Sequence, residues 1–220
     1  MVLLTRLFPL YNYAYLVPMK FYLIAFSLLL AFQIQAQSLD SVQGLLPGAK
    51  APLRTLIDEN GEAFALQELL KEGPLLLVFY RGHWCPYCNR HLAELETISD
   101  SLKEMGVQLI AIAPEKPEYL MEMQEKTGAS FTFLYDKGYE MIKAFDLAFL
   151  PEKATRIKYK TFLNADLSEL SGDSREWLPV PASYLVDKEG IIRWRHFDPD
   201  YKERSEVSDI LAALVAFKER

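Results

Sequence analysis

The chain has 220 residues, a net charge of -6, and is 50% hydrophobic and 25% charged. These proportions suit one folded domain of fair size and exclude wholesale disorder. The balance of 30 Asp and Glu against 24 Lys and Arg offers no basic footprint for nucleic acid, and two cysteines are too few for a disulfide-dense scaffold.

Residues 1–37 carry no acidic residue and only two basic ones, Arg6 and Lys20. Lys20 is followed by an apolar run from Phe21 to Phe32. That run has the length of a signal-peptide core, about 7–15 residues, and falls short of the ~20 that a membrane span needs. Cleavage after Ala36 is the expectation, with 37–220 as the single mature domain. Met19, directly before Lys20, reads as a natural start, which makes 1–18 an upstream extension. The alternative is an uncleaved anchor over 7–32, interrupted by Tyr11, Asn12, Tyr13 and Lys20. The expected destination is the periplasm or the exterior, where a cysteine pair can hold a disulfide.

From Ala51 the pattern alternates strands and helices. Ala51 to Leu56 and Ala63 to Leu66 flank Asn60-Gly61, which predicts a small hairpin. Gln67 to Lys71 reads as a helical turn. Pro74 to Tyr80 is an unbroken apolar run, as in a strand buried on both faces. Leu92, Leu95, Ile98 and Leu102 share one face of a helix predicted over 86–105, ended by Gly106. A strand at 107–113, a helix at 115–126, a strand at 130–135 and a helix at 139–145 follow. Ser183 to Val186 and Ile191 to Trp194 flank Asp187-Lys188-Glu189-Gly190 as a second hairpin, and a helix at 206–217 closes the chain. Residues 146–179 show weak periodicity. A structureless loop of that length is uncommon in a compact domain, so a short helix over one edge of the site is expected. The order argues an α/β fold with a central sheet flanked by helices.

The chemistry lies in Trp84-Cys85-Pro86-Tyr87-Cys88, between a buried strand and a helix. Cys85 falls at or next to the helix N-cap, and Pro86 fits the first helical position, where no N–H is needed. Free backbone N–H groups and the helix dipole favour an anion there. The Cys85 thiol is therefore expected below the free-thiol pKa of about 8.5. Cys88 lies one turn on, within disulfide reach, to resolve a mixed disulfide. Two cysteines can also be half a zinc or copper site, whose further ligands would come from His83, His91 or His196. His83 is alternatively a cation that lowers the thiol pKa. His91 reads as a solvent-facing helix residue, His196 as structural, and the acidic run 198–206 as a solvated approach to the last helix.

Val78 to Cys88, Pro181 to Arg193 and His196 to Tyr201 together resemble the peroxiredoxin-like branch of the AhpC/TSA (redoxin) family. The resemblance covers roughly 44–220. It implies a thioredoxin-like fold with a central mixed sheet, an N-terminal β-hairpin and an insertion before the last strands. It also implies a thiol-based antioxidant oxidoreductase with no cofactor beyond its two sulfurs. The substrate would be a hydroperoxide or a protein disulfide, and a thioredoxin-like thiol donor would recycle the enzyme. Peroxiredoxins carry Pro-x-x-x-Thr/Ser-x-x-Cys and a distal Arg. A gapless comparison puts Cys88 at their peroxidatic cysteine, Arg81 at the Pro, Cys85 at the Thr and Pro181 near the Arg. Arg81 and Arg193 are the candidate replacements for that Arg. Thioredoxin-like disulfide oxidoreductases instead carry Trp-Cys-x-x-Cys and a cis-proline, which Trp84 to Cys88 and Val180-Pro181 match. The expected site is therefore Cys85 and Cys88, supported by Trp84, Pro86, Pro181, Arg81 and His83, with both chemistries open.

Overall fold

The computed structural model describes residues 38–218. The expected export segment and its start site lie outside the described residues. The hairpin is formed by β1 (Thr55–Asp58) and β2 (Ala63–Ala65). Gly61 takes its turn at φ +85°, a conformation that suits glycine. Asp58 Oδ1 accepts the N–H groups of Asn60 (2.9 Å) and Glu62 (2.8 Å). A single turn of helix, α1 (Leu66–Leu69), leads into β3 (Leu75–Phe79).

Next come α2 (Pro86–Glu96), α3 (Ser99–Glu104), β4 (Gln108–Ala113), α4 (Pro117–Thr127) and β5 (Thr132–Tyr135). The expected helix over 86–105 is thus two helices. Thr97 Oγ1 donates back to the Glu94 carbonyl at 2.6 Å, and Ile98 leaves helical geometry at φ -113°, ψ 5°. A hydroxyl that bonds the backbone one turn back competes with continuation of the helix.

After α5 (Glu140–Ala144), the segment read as an insertion holds β6 (Ala148–Phe149), α6 (Lys153–Leu163), α7 (Leu167–Ser171) and β7 (Leu178–Pro179). It is therefore built rather than loose, with two helices instead of one. β6 pairs with β7. The Asp166 carboxylate caps α7, accepting the N–H groups of Ser168 (3.2 Å) and Glu169 (3.4 Å). The Tyr139 hydroxyl donates to Ser171 Oγ at 2.9 Å and ties α7 to the body. The chain ends with the hairpin β8 (Ala182–Val186) and β9 (Ile192–Phe197) and with α8 (Val207–Lys218).

One seven-stranded mixed sheet runs β2-β1-β5-β4-β3-β8-β9. β3 is an interior strand, parallel to β4 and antiparallel to β8. Successive side chains of a strand alternate between faces. Leu76, Val78 and Tyr80 enter one core with Leu92, Leu95 and Leu102, while Leu75, Leu77 and Phe79 enter the other with Phe145 and Tyr184. Both faces are covered, which is why this strand reads as a continuous apolar run. Its C-terminal end opens directly onto the cysteine motif.

Candidate active site

β3 delivers the chain through Tyr80, Arg81, Gly82, His83 and Trp84 to Cys85, the N-cap of α2. Gly82 is required sterically. A Cβ there would lie 2.4 Å from Glu115 Oε1 and 2.4 Å from Trp84 Nε1. Cys85 has extended geometry, and its carbonyl accepts the N–H groups of Cys88 (3.0 Å) and Asn89 (3.1 Å). Pro86 fills the first helical position as expected. Both cysteines are free thiols, and both are buried, Cys85 to 1% and Cys88 to 0% exposure.

The charge on this pair falls opposite to the expectation from helix position. Burial pushes Cys88 up, but the Cys85 S–H, the Arg204 cation, the Arg81 backbone N–H and the Arg81 side chain outweigh it, and Cys88 lies below the usual thiol range. Cys85, donating to Cys88 and desolvated, is pushed up. Of the two, Cys88 is the sulfur whose ionisation the surroundings favour. Arg204 Nη2 approaches Cys88 Sγ at 3.8 Å. The reason for the reversal is proximity: an S–H donor and two cations act on the inner sulfur more strongly than the helix end acts on the outer one.

Beneath the loop, Glu115 is buried and accepts the His83 N–H at 2.7 Å. Its other oxygen meets His83 Nδ1 at 3.0 Å. Burial raises Glu115, the His83 contacts oppose that rise, and the Cys88 charge adds to it. The His83 ring stacks on Tyr119 at 5.0 Å, and its Nε2 lies 3.6 Å from Glu122. His83 therefore links a buried carboxylate to a surface one instead of standing free as a loop cation. Above the loop, Trp84 packs against Tyr159 of α6 at 5.0 Å, so the insertion does cover one edge of the site. Arg81 is enclosed by the rings of Trp84, Tyr159 and Tyr201, 4.8, 4.8 and 4.5 Å from its guanidinium carbon.

Several expectations are corrected. Among the described residues no peptide bond is cis, so Val180-Pro181 is trans. The Val180 N–H donates to the Leu147 carbonyl at 2.8 Å, beside the β6–β7 pairing. His91 is buried, its Nε2 meeting the Ser205 carbonyl and hydroxyl at 3.1 Å each. Arg193 pairs with Asp187 in the β8–β9 hairpin, away from the sulfurs. His91 and His83 are thus engaged with Ser205 and with Glu115. Among the described residues no group of three or more His, Cys, Asp or Glu is placed to hold a metal ion. Glu115, Tyr159, Tyr201 and Arg204 belong to the site and escaped the sequence reading. Tyr201 and Arg204 lie inside the run read as solvated.

Residues 47–195 match the AhpC/TSA family. The chain belongs to the AhpC/TSA family. The thiol-disulfide oxidoreductase ResA of Halalkalibacterium halodurans is 33% identical over 105 residues, 47% of this chain and 58% of that protein. Peroxiredoxin Bcp of Escherichia coli is 33% identical over 102 residues, 46% of this chain and 64% of that protein. The matched region thus spans less than two thirds of either relative's length. Peroxiredoxin Bcp of Bacillus subtilis aligns more fully, 26% identical over 79% of this chain and 97% of its own. The peroxidoxin BcpB of Mycobacterium tuberculosis superposes at a TM-score of 0.59 with 16% identity, covering 79% of this chain and 96% of that one. AhpC of Enterococcus faecalis superposes at 0.60 with 14% identity, covering 79% and 93%. The AhpC/TSA fold is therefore present as implied, thioredoxin-like with its N-terminal hairpin and its insertion.

Proposed function

We propose that this protein is an exported thiol peroxidase that reduces hydroperoxides through the Cys85–Cys88 couple and is recycled by a thioredoxin-like thiol donor. The observation that carries this reading is the setting of Cys88, whose Sγ lies 3.8 Å from Arg204 Nη2 and whose pKa the Cys85 thiol, Arg204 and Arg81 lower. The Cys88 thiolate attacks the distal peroxide oxygen. An S–O bond forms and the O–O bond breaks, giving a sulfenic acid at Cys88 and an alkoxide that leaves as the alcohol after taking a proton. The sulfur loses two electrons and the peroxide gains them. Cys85 then attacks Cys88 Sγ, and its proton leaves with the displaced hydroxide as water. The external dithiol restores both thiols in two exchange steps.

A small hydroperoxide is the oxidant that reaches a pair buried to 1% and 0% most readily, whereas every exchange with a protein, recycling included, requires the site to open. The second reading, disulfide exchange on exported proteins, draws on the Trp-Cys-x-x-Cys motif and on the likeness to a thiol-disulfide oxidoreductase.

The test is the second-order rate at which hydrogen peroxide and tert-butyl hydroperoxide oxidise the reduced domain, followed by tryptophan fluorescence. Cys88→Ser is expected to lower that rate by about 10³-fold or more, as loss of a nucleophile does. Cys85→Ser is expected to keep the first step and leave a trappable sulfenic acid on Cys88. A wild-type rate equal to that of free cysteine, or a Cys88→Ser protein that keeps the rate, overturns the assignment.

A further inference from the structure

The Arg81 side chain is 2% exposed. Its Nε and Nη2 make no hydrogen bond. These are the two nitrogens of one edge of the guanidinium, the edge that grips a carboxylate in a two-point fork. A buried guanidinium with one whole edge unbonded has lost its water there without gaining an acceptor, which is costly unless one arrives. Arg81 also lines a cleft of about 420 Å³, within the ~300–1,000 Å³ range of small-molecule sites. Phe149, Leu150, Pro151, Val180 and Pro181 form its apolar walls, and exposed Glu152 stands among the lining residues.

We propose that this cleft binds a small organic carboxylate, its apolar body against Phe149, Leu150 and Pro181 and its carboxylate on Nε and Nη2 of Arg81. Of the three rings that enclose the guanidinium, Tyr201 is the exposed one, at 38%, and it swings aside to admit the ligand. The bound carboxylate neutralises one of the cations that favour the Cys88 thiolate, so occupancy is coupled to thiol reactivity. The site stands on its own geometry and does not require the peroxidase reading.

The test uses the reduced protein and no peroxide, so its outcome is separate from that of the peroxidase assay. Octanoate, neutral octanamide, acetate and a short apolar peptide with a free C-terminal carboxylate are titrated against tryptophan fluorescence and against the rate of thiol alkylation by iodoacetamide. Octanoate is expected to quench fluorescence, to slow alkylation and to bind at least tenfold more tightly than octanamide or acetate. Tenfold weaker binding of the peptide identifies a free acid as the ligand, and equal binding identifies a peptide terminus. Arg81→Met is expected to lose at least tenfold in octanoate affinity, and Arg81→Lys less. Leu150→Asp, on the cleft wall away from the ring cage, is expected to weaken octanoate as well, and it serves if Arg81→Met does not fold. Equal binding of octanoate and octanamide, or full octanoate affinity in folded Arg81→Met or Leu150→Asp, overturns the proposal.

Discussion

On one side of β3, Leu75, Leu77 and Phe79 meet a cluster in which rings pack on rings. Phe79 lies 4.9 Å from Phe145 and 6.0 Å from Tyr184. On the other side, Leu76, Val78 and Tyr80 meet Leu92 and Leu95 but also Cys85 and Cys88. The two faces each hold a buried carboxylate nearby, and the pair is instructive. Asp136 receives the N–H groups of Met141 and Ile142 at 2.9 Å each, and burial brings it up to about 6. It caps α5 and meets no reactive group. Glu115 receives one N–H and one histidine ring, and its charge acts on Cys88. Desolvation is common to both faces. On the first it stabilises packing, while on the second it also makes a few nearby charges decide which sulfur ionises.

This division gives a first way to break the comparison. Leu77→Ala, on the purely packed face, is expected to cost about 2–5 kcal/mol, the range for a large-to-small core change. The pH profile of thiol alkylation should stay as in the wild type. Chemical denaturation and iodoacetamide kinetics on one preparation check both. A displaced profile would mean that the two faces are coupled through β3 and that the division is false.

A second test sits on the reactive face. Burial, the Arg204 charge and His196 outweigh the Ser205 bond and bring His91 down to about 3, from the 6.5 usual for a free imidazole. The folded protein therefore keeps His91 neutral while the unfolded chain accepts a proton below pH 6.5. The stability this contributes is complete above pH 6.5 and is lost as pH falls toward 3. At pH 4 the loss amounts to about 3 kcal/mol at most. In His91→Gln, which retains a group able to bond Ser205, the fall in unfolding free energy between pH 7 and pH 4 is expected to shrink by up to that amount. An unchanged fall would place acid sensitivity with the carboxylates instead.

What the sequence made legible follows the same line. The hairpin at Asn60-Gly61, the doubly buried β3 and the start of α2 at Pro86 depend on local pattern, and each stands where it was read. The cysteine motif was legible because its residues are adjacent. Its electrostatics were not, because they depend on partners far apart in the chain. Glu115 is 32 residues from His83, and Arg204 is 116 from Cys88. The same distance hid the burial of His91, whose partner Ser205 is 114 residues away. The break at Thr97 was missed for a different reason: the apolar spacing continues through it, and a side-chain hydroxyl, not the pattern, ends the helix.

The smallest effect expected is also the sharpest. The Tyr80 hydroxyl is buried, without a hydrogen-bond partner, and burial, Glu115 and Cys88 together push its pKa well above the phenol range. It therefore remains a neutral donor beside the thiolate, at the price of one unsatisfied polar group. Tyr80→Phe keeps the ring and its edge-on contact with Phe133, 6.0 Å away. The variant is expected to gain about 1 kcal/mol in stability, since an orphaned buried hydroxyl costs about that much or more. It should also react more slowly with hydroperoxide, having lost a donor for the peroxide oxygens. Such a trade, stability gained while reactivity falls, is not expected of a residue on the packed face. Denaturation and single-turnover oxidation of the same variant decide it. A Phe protein that is less stable has lost a real partner of the hydroxyl, and one that is more stable and equally fast assigns Tyr80 to packing alone.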